Sequence, residues 1–371
     1  MDTKTLYDDR LARIKKAVAM EPVDKIPIAP CGNAYWARQQ GVKIKDYLTD
    51  FELACTTNIN AMNALGGVDA TQNTIFTPYL LPTQWLSEVH VPGKELGDDE
   101  LWQVVEKGIV KDEDYDEILA TGFEPFLNHC LKDRLNDNNA NLVPFFEYVP
   151  TAAQRFVDAG IPCICDFLMI LPFEYLCGGR TLETFFVEDL IGQPDKIEKV
   201  FEKIMEYTMP LYKGMMQSGM GKSVWIGGWR TAPFMLSDEI FDRFVWPYFK
   251  LYTDLCIEND ILVTYHLDAN WDRALHKFLE LPAQKCILAL DSATDIRMAR
   301  KVLGDHMCIL GDVPASLLAF GKPEAVKKYV NDMLDDIGST GIIMASGCDI
   351  PANAKRENVK AMCDAANEYI G

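Results

Sequence analysis

In the second half of the chain, the pattern of hydrophobic and polar positions changes repeatedly between two kinds of segment. Short apolar runs rich in β-branched residues are separated by longer segments with the hydrophobic spacing of amphipathic helices. The apolar runs cover residues 161–165, 223–227, 261–265, 286–290, 307–310 and 341–345. Strands that alternate with helices in this way are typical of βαβ units, which build a parallel sheet.

The first half of the chain is harder to divide into elements. Apolar spacing over residues 6–18 predicts an N-terminal helix. Apolar runs at residues 26–30 and 68–71 predict two further strands, and residues 85–91 predict a β excursion. We interpret residues 31–150 as an elaborated entry to the same domain, because no linker rich in Pro, Gly or Ser marks a boundary.

The total of eight predicted strands favours a closed (β/α)8 barrel over an open doubly wound sheet. Right-handed βαβ units repeated about eight times close a parallel sheet into a ring. No G-x-G-x-x-G segment follows a predicted strand, which disfavours a dinucleotide-binding fold. We therefore expect residues 1–371 to form one α/β domain, a TIM barrel with N-terminal elaborations.

Composition removes several classes of function. The formal net charge of −19 argues against a nucleic-acid partner, because phosphate contacts require a basic surface. No apolar run approaches the roughly 18 residues of a membrane helix, and the first residues lack an apolar signal segment. Several of the eleven cysteines lie inside apolar runs, which indicates buried thiols in a reducing compartment. These features predict a cytoplasmic protein without a membrane partner.

Polar residues follow the late predicted strands at the points where those strands end. They are His266, Asp268, Asp291, Asp312 and Cys348. In a parallel barrel the carboxyl ends of all strands meet at one mouth, where catalytic groups are found. This convergence indicates an enzyme.

Three of these residues form a candidate metal site. His266 and Asp268 are two positions apart in an extended segment, so their side chains can share a face. With Cys348, which lies in a glycine-flanked loop, they offer three zinc ligands and an open fourth position. The alternative is that His266 only forms hydrogen bonds in the barrel mouth while Cys348 packs. Spacing alone leaves both interpretations open.

Carboxylates near the predicted mouth have candidate catalytic roles. Asp291 and Asp312 could orient His266 or a partner, and Glu174 could act as an acid or an additional ligand. For Asp291 and Asp312 the alternative is helix capping, because each is followed by a turn that leads into a predicted helix.

Aromatic and basic residues in the same region are candidates for substrate binding. Phe173, Trp229 and Trp271, like Trp225, could line a pocket for a flat apolar substrate, or they could simply pack in the core. Arg230 could bind a substrate carboxylate, or it could form a surface salt bridge.

Four segments of the chain resemble the uroporphyrinogen decarboxylase superfamily, and the resemblance extends over nearly the whole length. They are residues 21–27, 237–248, 311–314 and 346–351. The resemblance implies the barrel fold. The true decarboxylases bind a porphyrinogen with many carboxylates and use an arginine-rich R-Q-A-G-R segment after the first strand. Residues 34–41 of this chain contain only Arg38, which disfavours the decarboxylase interpretation.

The chain is more similar to a second branch, the corrinoid-dependent methyltransferases, which hold zinc with His-x-Cys and a distant Cys. His266 and Cys348 match this pattern, and Asp268 replaces the first cysteine. A carboxylate is a harder ligand than a thiolate and donates less charge, so zinc here would be a stronger Lewis acid. Such a metal suits an ether oxygen better than a sulfur. Residues 266–271 and 294–296 look like the members that demethylate methyl ethers.

This resemblance implies a specific activity, in which a methyl group passes from an aryl methyl ether to the cobalt of cobalamin on a separate corrinoid protein. Zn²⁺ held by His266, Asp268 and Cys348 would polarise the ether oxygen, and the metal or Glu174 would stabilise the leaving phenolate. The resemblance also implies that the protein belongs to an anaerobic O-demethylase system. A decarboxylase, a methylcorrinoid:thiol methyltransferase and a non-catalytic binding barrel stay open as alternatives, as does a homodimer.

Overall fold

The strands of the computed structural model, which describes residues 2–219 and 221–369, form two sheets. An antiparallel hairpin pairs β1 (Glu88–His90) with β2 (Gln103–Val105). The other sheet is parallel, and its six strands are adjacent in chain order. They are β3 (Phe167–Met169), β4 (Ser223–Gly228), β5 (Leu262–Leu267), β6 (Cys286–Leu290), β7 (Cys308–Val313) and β8 (Ile342–Ser346).

Two short segments close the parallel sheet into a ring. Ile28 forms a parallel bridge with Met344 of β8, and Thr71 forms one with Cys163, just before β3. The backbone N–H of Asp69 donates to the carbonyl of Ile28 at 2.8 Å, which joins the two segments to each other. The ring therefore contains eight chain segments, and the predicted α/β barrel fold is confirmed.

The helices cover the outside of the barrel and build the elaborated entry. The α-helices are α1 (Thr3–Val18), α2 (Asn33–Gln39), α3 (Ile44–Thr49), α4 (Phe51–Leu65), α5 (Leu81–Trp85), α6 (Asp112–Thr121), α7 (Phe123–His129), α8 (Asn138–Asp158), α9 (Pro172–Arg180), α10 (Leu182–Thr184), α11 (Pro194–Gln217), α12 (Asp238–Phe244), α13 (Trp246–Glu258), α14 (Ile296–Leu303), α15 (Ala315–Phe320), α16 (Pro323–Ile337) and α17 (Arg356–Glu368). Tighter 3₁₀ turns cover Pro78–Leu80, Pro233–Met235 and Asp272–Glu280, and wider π-helical turns cover Cys130–Arg134 and Phe185–Ile191.

Several element boundaries differ from the prediction. The predicted strands at residues 26–30 and 68–71 form only single bridges. The regular third strand begins at Phe167, after the predicted run at residues 161–165. β5 continues to Leu267, so that His266 lies within the strand instead of after it. The predicted N-terminal helix is confirmed as α1.

Alternation along the strands decides which side chains face the inside of the barrel. Val263, Tyr265 and Leu267 pack in the outer core, between the sheet and the helices. His266 therefore faces inward, because successive side chains of a strand point to opposite faces. Its neighbours in register are Gly227 of β4 and Ala289 of β6, which are both small residues.

None of the helices in the described ranges combines the length and the apolar character needed to cross a bilayer.

A buried carboxylate holds together the amino-terminal end of the barrel. Asp69, only 1% exposed, accepts a hydrogen bond from Arg13 of α1 at 2.5 Å and one from Lys25 at 2.9 Å. It also accepts the backbone N–H of Ile28 at 3.0 Å. Lys25 in turn donates to Asn367 of α17 at 2.9 Å. The network thus links both ends of the chain to the two segments that close the ring.

We predict that Asp69→Asn lowers the free energy of unfolding by about 3 kcal/mol, because an amide cannot neutralise Arg13 and Lys25 at a site closed to water. Urea denaturation at pH 7 measures the change. Asp24→Asn is the matched control, since Asp24 contacts the same Arg13 but is 69% exposed. The control should cost less than about 1 kcal/mol. Equal effects of the two substitutions would contradict the role of burial.

Asp312 of β7 is a second buried carboxyl, and the capping role considered for it is wrong. α15 begins at Ala315 with Pro314 as its cap residue, and no side chain caps it. Asp312 instead accepts a hydrogen bond from the hydroxyl of Tyr329 at 2.8 Å. Burial raises the pKa of Asp312 to about 6; the hydrogen bond and the charge of Arg297 oppose this shift, and Asp295 adds to it.

We predict that Asp312→Asn stabilises the protein at pH 8 by about 2–3 kcal/mol, since each pKa unit corresponds to about 1.4 kcal/mol. The folded state binds the Asp312 proton more tightly than the unfolded state. The stability from that proton is present below the ordinary pKa of 3.8 and is lost as the pH rises towards 6. Urea denaturation at pH 4 and pH 8 should show a difference between variant and parent only at pH 8. The same difference at both values would contradict this assignment.

Candidate metal centre

The three predicted metal ligands meet at the carboxyl end of the barrel. The Nε2 atom of His266 lies 3.5 Å from the Sγ atom of Cys348 and 3.3 Å from Oδ1 of Asp268. The ligand atoms of all three residues lie within 4.8 Å of one another. His266 is buried and Asp268 is half-buried, whereas Cys348 is exposed. One imidazole, one carboxylate and one thiol therefore face a common point that solvent can reach.

A close backbone approach brings Cys348 to this point. Gly347 follows β8 and its N–H donates to the carbonyl of Val313 at 3.0 Å. A Cβ atom at Gly347 would lie 2.6 Å from the backbone carbonyl carbon of Asp291, so any larger residue would push the loop away. Glycine at this position lets the end of β8 pack against the end of β6.

The loop that carries Asp268 is fixed from both sides. The carboxylate of Asp291 accepts the N–H of Ala269 at 2.6 Å and the N–H of Ala293 at 2.9 Å. The indole of Trp271 donates to the carbonyl of Asp268 at 2.9 Å. Asp291 thus holds the ligand loop through the backbone, and the capping alternative is wrong because Asp295 caps α14. A direct catalytic role of Asp291 stays a prediction.

Negative charge dominates the electrostatics of the cluster. Burial opposes a charged imidazole, but the charges of Cys348 and Asp268 outweigh it and hold the pKa of His266 well above its ordinary value. Burial raises the pKa of Asp291, and the charge of Asp268 raises it further, while the hydrogen bonds from Ala293 and Ala269 oppose the shift. The arrangement therefore favours positive charge at the point between the ligand atoms.

The donor set fits zinc. Zn–N, Zn–O and Zn–S bonds of about 2.0–2.3 Å with tetrahedral angles place neighbouring ligand atoms about 3.3–3.5 Å apart. The His266–Asp268 and His266–Cys348 distances match this spacing, and the ligand atoms of Asp268 and Cys348 lie within 4.8 Å of each other. Three protein ligands would leave a fourth position free, as in catalytic zinc sites. Nδ1 of His266 is buried, and no described residue forms a hydrogen bond with it, although metal-bound histidines usually donate from the second nitrogen.

Three tryptophans form an aromatic wall that begins at His266. Trp225 stacks on the imidazole with ring centres 5.3 Å apart and an interplanar angle of 29°. Trp229 lies 4.6 Å from Trp225, and Trp85 lies 4.3 Å from Trp229. All three tryptophans are half-buried, so none of them is closed off from solvent as a whole residue. We call these three residues the tryptophan wall.

Glu174 lies behind the tryptophan wall and is fully buried. Its Oε1 atom accepts the backbone N–H groups of Trp229, Arg230 and Thr231 at 3.0–3.2 Å. Its Oε2 atom accepts the indole N–H of Trp85 at 3.2 Å. Burial raises the pKa of Glu174, and these hydrogen bonds oppose the shift. The contacts show that Glu174 holds a loop; its predicted role as an acid or ligand stays a prediction.

Two residues predicted to bind substrate belong to the core instead. Phe173 has no exposed surface and packs on Phe185 with ring centres 5.0 Å apart. Trp271 also has no exposed surface and packs against Phe249 at 5.9 Å. Both predictions are corrected, because a side chain without exposed surface cannot contact a substrate in this structure.

The salt bridge considered for Arg230 is formed. Its guanidinium donates to Glu106 at 3.0 Å and to the carbonyl of Cys177 at 3.3 Å. Glu106 also lines an open cleft of about 780 Å³ whose wall contains none of the three metal-ligand candidates. Substrate binding by Arg230 stays a prediction.

Sequence reasoning missed Trp85 and the position of Gly347. Trp85 belongs to the elaborated entry, and nothing in the local pattern links it to β4. Gly347 lies in the segment of residues 346–351 that carries the family resemblance. Its structural role is the close approach to the backbone of Asp291, which only the folded chain shows.

The closed α/β ring and the ligand cluster in its mouth together show the class of protein: an α/β barrel with a candidate metal centre. A model of the uroporphyrinogen decarboxylase (URO-D) family matches residues 172–369, and the chain belongs to this family.

Curated relatives share about half of their length with this chain. The uroporphyrinogen decarboxylase of Christiangramia forsetii is 25% identical over 176 residues, which cover 47% of this chain and 49% of the relative. The uroporphyrinogen decarboxylase of Hordeum vulgare is 29% identical over 168 residues, or 45% of this chain and 49% of the relative.

A solved structure resembles the whole fold. A methyltransferase from Methanosarcina mazei has a TM-score of 0.71 and 18% sequence identity, and the match covers 96% of this chain and 97% of that one. At this identity the likeness shows a shared fold.

We predict that the purified protein binds one zinc ion and that His266→Ala and Cys348→Ala each lose it, because two remaining ligands hold zinc weakly. Metal analysis after dialysis measures the zinc content. Cys363→Ala is the matched control, since Cys363 is a buried cysteine of α17 and lies outside the ligand cluster. Retention of zinc by both ligand variants would contradict the assignment.

Proposed function

We propose that this protein is a methyltransferase that takes the methyl group of an aryl methyl ether and passes it to the cobalt of a separate corrinoid protein. The observation that carries the proposal is the convergence of His266, Asp268 and Cys348 beside the tryptophan wall. The name of the Methanosarcina mazei structure supports methyl transfer as the class of reaction.

His266, Asp268 and Cys348 would hold zinc. Bound zinc would supply a Lewis acid that withdraws electrons from the ether oxygen and so improves the phenolate as a leaving group. Asp268 makes this chemistry suit an oxygen donor, because a carboxylate donates less charge to the metal than a thiolate does.

The remaining residues of the mouth position the substrate. Trp225 and Trp229 offer ring surface beside His266, where an aryl ring can stack. Asp291 keeps the loop of Asp268 in place through two backbone hydrogen bonds. Cys348 is exposed, so a second protein that carries the methyl acceptor can approach the ligand cluster from solvent. Holding both reactants in line supplies much of the rate gain in a transfer of this kind.

The alternatives fit the mouth less well. A porphyrinogen with many carboxylates requires cationic side chains, yet Arg38 donates to the carbonyl of Asp99, outside the ligand cluster, and Arg230 is paired with Glu106. A thiol methyltransferase of the related branch would have a second cysteine where this chain has Asp268. The names of the curated relatives keep decarboxylation as the alternative that an experiment must exclude.

The test is an anaerobic assay with reduced corrinoid and a panel of methyl donors. We predict that methylcobalamin, followed by its absorbance, forms from methoxylated aromatics and that His266→Ala abolishes the reaction. Asp268→Cys should keep zinc but slow the reaction at least about tenfold, which corresponds to about 1.4 kcal/mol of lost stabilisation. Release of carbon dioxide from a porphyrinogen without methyl transfer from any ether would contradict the proposal.

A further inference from the structure

We infer that Glu174 is a positioning residue that holds the tryptophan wall against His266, and that the wall selects aryl over aliphatic methyl donors. The selectivity rests on the proposed function, because it concerns the methyl donor. The positioning rests only on contacts within the chain.

The carboxylate of Glu174 is fully buried and accepts five hydrogen bonds. Four donors meet at Oε1, namely the N–H groups of Trp229, Arg230 and Thr231 and the hydroxyl of Thr231 at 3.1 Å. The fifth donor, the indole N–H of Trp85, meets Oε2. Hydrogen bonds to a charged acceptor are the strong ones. One side chain therefore fixes the backbone of Trp229 and the ring of Trp85 at the same time.

The ring contacts carry this constraint from Glu174 to His266. Trp85 meets Trp229 edge to face at 62°, and Trp229 meets Trp225 at 46°. Trp225 then stacks on the imidazole. Gly227 makes the wall compact, since a Cβ atom there would lie 2.4 Å from the ring of Trp225 and 3.1 Å from that of Trp229. A shift of Trp85 or Trp229 therefore reaches the ring beside the candidate ligand.

The wall can distinguish substrates because its three tryptophans are only half-buried. Trp225 packs against the apolar cluster inside the barrel, which includes Ala289 and Ala345 among its members. An aromatic donor in this space gains ring contacts with the indoles. An aliphatic ether of similar polarity gains none of these contacts. Loss of one ordered ring should therefore weaken aryl binding about three- to tenfold.

Glu174→Gln is the decisive variant. The amide oxygen can still accept the four donors of the loop, but the amide nitrogen faces the indole N–H of Trp85, and two donors cannot bond. Trp85→Phe is the second variant, because it removes the same hydrogen bond while keeping an aromatic ring, and it carries the test if Glu174→Gln does not fold. Trp102→Phe is the matched control, since Trp102 packs on Phe76 and lies outside the wall.

The experiment measures binding of guaiacol and of 2-methoxyethanol by isothermal titration calorimetry, without any corrinoid protein. Near-ultraviolet circular dichroism reports the packing of the indoles, and metal analysis reports the zinc content. We expect both wall variants to lose dichroism signal and to bind guaiacol three- to tenfold more weakly, with unchanged affinity for 2-methoxyethanol and unchanged zinc content. Trp102→Phe should bind both probes like the parent.

The two proposals can fail separately. Unchanged guaiacol affinity in Glu174→Gln and Trp85→Phe, or equal weakening for both probes, would overturn the inference even if the parent transfers methyl groups. Guaiacol binding that depends on Glu174 and Trp85, in a protein that transfers no methyl group, would support the inference and reject the proposed function. Failure of the parent protein to bind guaiacol would overturn the inference.

Discussion

The structure of the barrel mouth depends on one constraint. Three electron-pair donors must be held close together, facing a common point. The imidazole of His266 and the carboxylate of Asp268 come from the end of β5, and the thiol of Cys348 comes from the end of β8. Such groups repel one another in a partly buried place unless a cation or protons lie between them. The fold holds the three groups close together despite this repulsion, and we infer that the closed sheet must be rigid enough to do so.

The rigidity comes from the opposite end of the barrel and from the backbone. Asp69 ties the first helix and Lys25 to the segments that close the ring. At the mouth, Gly347 and Asp291 let the ends of β8 and β6 touch. The ligand geometry is therefore a property of the closed sheet, as expected where catalytic groups stand on the ends of parallel strands. The elaborated entry contributes as well, since Trp85 completes a wall that begins at His266.

The late strands and the ligand cluster were predictable because their signals are local. Buried parallel strands appear as continuous apolar runs, and the residues after those runs must share one end of the barrel. The closing segments around Ile28 and Thr71 make one bridge each, too little to define a regular strand. Phe173 and Trp271 were misassigned because an aromatic residue near a strand end packs or lines a pocket according to distant neighbours. Trp85 depends on a contact with Trp229 across many intervening residues, which no local pattern encodes.

The most direct test of the metal centre is X-ray absorption at the zinc edge on the zinc-bound protein. His266, Asp268 and Cys348 as ligands require one sulfur neighbour at about 2.3 Å and nitrogen or oxygen neighbours at about 2.0–2.2 Å. This single-sulfur shell is the predicted result. A shell without sulfur, or with two or more sulfurs, would contradict the account.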